Sequence, residues 1–188
     1  KLEAGHKAKI SNAIELARGR FLRHIEKELP KADAKFPATL QTLRGKPKIL
    51  DAVRDFVMDS YQHGRQTMRR DIRAFNEAQG EDGVRIYDDP NFVPKDAIEH
   101  LETRAFWITG IIENDLLDES RGILIADLAA GTANKKTMQK LREAFAPFTL
   151  NPQVIVDGAV VTPHRLETIV RTNNTDAFNQ GRLVQARQ

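Results

Sequence analysis

Along most of this chain apolar side chains return every three or four positions, the period of a helix that buries one face. Ile10, Ile14, Ala17, Phe21, Ile25 and Leu29 follow it, and with Pro30 as terminator they predict a first long helix over residues 2–29. Residues 30–47, PKADAKFPATLQTLRGKP, hold three prolines and a glycine and read as a linker with one short turn. A second helix is expected from about residue 48 to 78, with Ile49, Val53, Phe56, Val57, Tyr61, Met68, Ile72 and Phe75 as its buried side. Two long helices joined by an elbow suggest an arm or hairpin.

Residues 79–94, QGEDGVRIYDDPNFVP, have loop composition, with one short strand expected around Val84 to Tyr87. Pro94 then opens the longest periodic run: Ala97, Ile98, Leu101, Ala105, Ile108, Ile111, Ile112, Leu116, Ile123 and Leu128. Gly110 and Gly122 are places where it could break, and Gly131 stops it. Thr132 is the expected cap of a short helix carrying Met138, Leu141 and Phe145.

After Pro147 the period changes from helical to alternating. QVIVDGAVVT, residues 153–162, sets Val154, Ile155 and Val156 before Asp157-Gly158, and Val160 and Val161 after it. That is a hairpin signal with Gly158 at positive φ in the turn. Thr162 as N-cap and Pro163 at the first helical position start the last helix. Helical spacing places Leu166, Val170, Asn173, Ala177, Gly181 and Val184 on one face of it. A carboxamide buried there without partners costs about 1–3 kcal/mol, so Asn173 is expected to be tied to backbone groups of a neighbouring segment. Gly181 and Ala177, one turn apart, leave room for another backbone to approach. The fold class is mainly α (α+β): an N-terminal helical arm over residues 1–93, then a compact helical domain with a small β-hairpin over residues 94–188.

Composition narrows the function. With no cysteine among 188 residues, disulfides and thiolate metal sites are excluded. The sequence lacks any run of about 18 apolar residues, so no transmembrane helix and no membrane association are expected. It opens at Lys1 without a signal-peptide pattern or an initiating Met, and reads as a piece of a longer chain. The net charge of +3 is unevenly spread: residues 1–48 carry twelve Lys/Arg against five Asp/Glu, and residues 88–119 carry two against nine. Such asymmetry suits a protein that meets nucleic acid or an acidic partner, unless the two segments face each other. Arg65, Arg69 and Arg73, at i, i+4 and i+8, are expected to form a cationic stripe opposite the apolar one, where each could contact a phosphate.

The residues offer little catalytic chemistry. Five histidines include His100 near Glu102 and His164 near Glu167, but neither pair has the spacing that holds zinc on one helix face. Glu113, Asp115, Asp118 and Glu119 differ in helical phase and do not converge on a magnesium ion without help. There is no phosphate-binding glycine loop and no nucleophile elbow. No catalytic residue, metal or cofactor is expected.

One resemblance adds to this reading. A helix ending in LDESRGILIADLAAGTANKKTMQKLREAF, a short strand-like interval, and then RLETIVRTNNTDAFNQGR resembles the phage Mu F-like family of head-morphogenesis proteins. The likeness covers residues 116–184 and rests on Arg171, Thr172, Asn173, Ala177, Phe178, Asn179 and Gly181. Many members have Glu where this chain has Asn173; an amide cannot act as a general base, which favours a structural role. The resemblance implies a non-enzymatic minor head protein of the virion, associated with the portal and with other capsid or neck proteins, and oligomeric in the particle. Arg171, Thr172, Asn173, Asn179 and Gly181 would be its structural motif. The alternative is an internal virion protein that contacts packaged DNA through Arg65, Arg69 and Arg73.

Overall fold

A computed structural model describes residues 2–43, 45–79, 94–148, 155–156, 159–160 and 164–186. The described residues are mainly helical: α1 (Leu2–Glu28), α2 (Lys46–Gln79), α3 (Lys95–Ala129), α4 (Asn134–Ala144) and α5 (His164–Ala186). Two-residue strands β1 (Ile155–Val156) and β2 (Ala159–Val160) pair antiparallel, Ile155 opposite Val160 and Val156 opposite Ala159. The turn residues Asp157 and Gly158, the start signal at Thr162 and Pro163, and the strand expected at residues 84–87 lie outside the described residues.

The helices follow the apolar period. On α1, Ile10, Ile14, Ala17, Phe21 and Ile25 are all buried, as is Leu29 just past its end, and on α2 Ile49, Val53, Phe56, Val57 and Tyr61 are. Beyond Tyr61 the expectation fails by degrees: Met68 and Ile72 are half-buried, and Phe75 is 51 % exposed. The reason is reach. Helix α5 runs parallel to α2 and, near its own end, bonds to it at Arg69 and Asp71; Phe75 lies past those two residues.

Helix α3 runs unbroken through Gly110 and Gly122 for 35 residues. A helical glycine costs only about 1 kcal/mol relative to alanine, less than the burial of Leu101, Ile108, Ile112, Leu116 and Leu124 returns. It ends where the sequence puts the stop. Gly131 takes φ +63°, its N–H donates to the Leu128 carbonyl (3.3 Å), and the Thr132 N–H reaches back to that of Asp127 (2.9 Å), the paired bonds of a left-handed helix cap. Thr132 is spent on this cap, and Ala133 takes the N-cap position of α4 without a side-chain bond.

Residues 30–47 are fastened rather than loose. They form two short 3-10 turns, Leu29–Lys31 and Phe36–Thr39, and bury Leu40 and Leu43. The Leu43 N–H donates to Glu113 Oε1 (2.8 Å), and the Arg121 guanidinium donates to the Leu40 carbonyl. Buried side chains from both sides of residue 93 belong to one core. The apolar faces of α1 and α2 meet the later helices: α1 packs on α4 and α5, and α2 packs on α3 and most extensively on α5.

At the α1–α2 contact His6 is buried, its ring 5.5 Å from that of Phe56 and its Nε2 3.2 Å from an Asp59 carboxylate oxygen. Burial pulls its pKa below the usual 6.5, with Lys9 adding to the fall and Asp59 and Asp55 opposing it. A histidine with a lowered folded pKa binds fewer protons in the native state than in the unfolded one, so stability falls as pH drops below 6.5. The denaturation midpoint should therefore decline between pH 7 and pH 5, and His6→Gln should flatten that decline. An equal slope in the variant would assign it to other groups.

Candidate functional site

The seam between α2 and α5 gathers most of the residues singled out from sequence. Leu166, Val170, Asn173, Ala177 and Gly181 are buried on it, and Val184 is half-buried. At its centre two glycines face two carbonyls. A Cβ on Gly64 would lie 2.0 Å from the Phe178 carbonyl oxygen, and one on Gly181 would lie 2.1 Å from that of Tyr61. In each case the glycine presents a Cα–H where any other residue would force the helices apart. Ser60 on α2 meets Asn174 on α5, Gly64 meets the Phe178 backbone, and Gly181 meets the backbone of Tyr61 and Arg65, so the narrow crossing rests on one glycine from each helix.

Polar ties flank the crossing. Ser60 Oγ lies 2.8 Å from Asn174 Oδ1. Arg65 Nε and Arg69 Nε both donate to Gln185 Oε1, at 3.3 and 3.1 Å. Arg182 donates to Asp71 at 2.9 Å, and its guanidinium stacks near the Phe178 ring.

These contacts revise two expectations. Arg65, Arg69 and Arg73 do not form a solvent-facing stripe: Arg65 is 1 % exposed, Arg69 is half-buried, and Arg73 alone is exposed. The physical reason lies in the helical phase. Arg65 follows Tyr61 by four residues and so sits on the buried side, under the end of α5. Asn173 is buried, but its Nδ2 donates to the Ile169 carbonyl of its own helix at 2.7 Å and its Oδ1 has no hydrogen-bond partner among the described residues. The inter-helical tie is made instead by its neighbour Asn174. Of the other motif residues Gly181 is buried, whereas Arg171, Thr172 and Asn179 are exposed. Gly64, Ser60, Asn174 and Gln185 were not singled out from sequence; the glycine inside an otherwise strong helix pattern was the one available signal.

The acidic residues of α3 separate from one another. Glu113 is buried, accepting the Leu43 N–H and pairing with Lys46 at 2.5 Å. Asp115 accepts Arg165 Nε at 2.9 Å, and Asp118 accepts Arg121 at 2.8 Å. Asp115, Asp118, Glu119, Pro147, Phe148 and Arg165 line an open groove of about 420 Å³. Burial, and then the Asp115 charge, push the Glu119 carboxyl above its ordinary value. Among the described residues no three His, Asp or Glu side chains are placed to share a metal ion. No described helix is long and apolar enough to cross a membrane.

Comparison with protein-family models, with curated proteins and with solved structures finds no match. The described surface carries large apolar side chains on several helices: Leu16 on α1, Phe75 on α2, Ile98, Phe106, Trp107 and Ile125 on α3, and Leu183 on α5. Phe106 and Trp107 are adjacent, each 54 % exposed, and Arg104 holds the indole in place, its guanidinium 4.5 Å from the ring centroid and 3.3 Å from Asp176. An aromatic pair facing solvent is a feature of interaction surfaces.

Proposed function

We propose that this chain is a structural minor head or head-to-portal protein of a tailed phage or prophage, acting in capsid assembly. The observation that carries the reading is the use made of the motif helix. Asn173, Ala177 and Gly181, which bear part of the resemblance to the Mu F-like family, lie buried on the face that locks α5 to α2, a task of holding shape. The paired aromatics of α3 supply a surface on which a portal, capsid or neck protein could anchor.

The reading is tested by inducing particles from the source genome and separating proheads, heads and tails on a gradient. Quantitative mass spectrometry should find the chain in proheads and mature heads at a fixed ratio to the portal protein. Full expression of the chain with none of it in any particle fraction would overturn the reading.

A further inference from the structure

The outward face of α1 carries a row of cations behind one exposed apolar residue. Leu16, Arg20, Arg23 and Lys27 fall at i, i+4, i+7 and i+11, all exposed, and Arg20, Arg23 and Lys27 line an open groove with His24 and Glu28. None of these three cations makes an ion pair among the described residues; the α1 side chains seen beside a carboxylate are His6, Lys7, Lys9 and Arg18. A position near the helix C-terminus accounts for Lys27, since cations are favoured in the last turn. It does not account for Arg20 and Arg23.

The outward face of α3 is the complement in the opposite order. Asp96, Glu99 and Glu102 are exposed, and Phe106 and Trp107 follow one turn later. Among the described residues the charge at this end meets only Lys95, 3.7 Å from Glu99 and itself exposed. Among the described residues the basic and acidic segments meet at Lys46 and Glu113, which leaves the exposed charges of these two faces apart from each other. At about 1.5 Å of rise per residue, the ten steps from Asp96 to Phe106 and the eleven from Lys27 back to Leu16 span nearly the same length, roughly 15 and 16.5 Å.

We infer that the α1 face of one molecule docks antiparallel on the α3 face of a second copy. Lys27, Arg23 and Arg20 then meet Asp96, Glu99 and Glu102, and Leu16 meets Phe106 and Trp107. The contact joins two different surfaces, so it repeats head to tail, giving a ring if the rotation closes and an open filament if it does not. Such self-docking does not require a role in a phage head.

Trp107 is the sole tryptophan and sits in the interface, so its fluorescence reports docking directly. Raising the concentration at low salt should increase the sedimentation coefficient and blue-shift the emission, and both changes should shrink in high salt. The triple variant Arg20→Glu, Arg23→Glu, Lys27→Glu should remain monomeric over the same range, as should Glu99→Lys, Glu102→Lys. All the altered residues are exposed, and circular dichroism confirms that each variant is folded. Mixed, the two variants should associate, because the intact α3 of the first meets the intact α1 of the second. Two monomeric variants that fail to associate when mixed would overturn the inference. So would wild-type association that survives both reversals, or a basic α1 face that binds a DNA duplex while Trp107 emission stays independent of protein concentration.

Discussion

Gly64→Ala and Gly181→Ala should each destabilise the protein by about 3 kcal/mol, a fall of roughly 6–12 °C in Tm for a domain of this size. The sign is informative. In a helix open to solvent the same change stabilises by about 1 kcal/mol, since alanine is the better helix former. Gly110 and Gly122 on α3 have nothing within 4 Å of an added Cβ, and alanine there should raise the midpoint. At Gly64 and Gly181 the obstacle is a backbone carbonyl of the facing helix, which cannot rotate away as a side chain would. The two substitutions should also be non-additive: once either has widened the crossing the other meets less resistance, and the double variant should fall short of the sum by about 1 kcal/mol or more. Denaturant titration of the four single variants and the double variant checks the whole pattern.

Arg65→Ala should cost on the order of 3 kcal/mol, from the space left by a large buried side chain and the loss of its hydrogen bond to Gln185. Arg65→Met refills most of that volume without the need to desolvate a guanidinium, and should cost less than about 1.5 kcal/mol. Non-specific DNA affinity, measured against salt with folded protein, should not change in either variant, because Arg65 faces α5 and not solvent. An arginine that served a phosphate would behave in the opposite way, with an unmoved midpoint and a salt dependence reduced by about one unit of log–log slope.

What was legible in the sequence is what periodicity can carry. The buried faces of α1 and α5, the stop at Gly131 and the burial of Asn173 follow from spacing and from one glycine's freedom. The pairing of faces was not legible. Residues 30–47 look like a linker by composition, and only the three-dimensional approach of Glu113 and Arg121 shows Leu40 and Leu43 to be anchored. Arg65 was read as surface because arginine usually is, although its place four residues after Tyr61 put it on the buried side. Gly64 reads in sequence as a weak point in a helix, and its purpose appears only once Phe178 is opposite. The exposed Phe106 and Trp107 follow no period at all: they lie on the polar side of α3, where a folding argument gives them no partner.

The α2–α5 seam, and the structural role of the motif helix with it, depends on backbone contact at Gly64 and Gly181. Nuclear Overhauser spectroscopy of the uniformly labelled protein tests that contact directly, because α protons of two helices come within range only where the backbones nearly touch. Cross-peaks should link the Gly64 α protons with Phe178 and the Gly181 α protons with Tyr61 and Arg65. If those cross-peaks are missing while others place the 164–186 helix on a different face of the bundle, the seam is contradicted, and the structural role of the α5 motif falls with it.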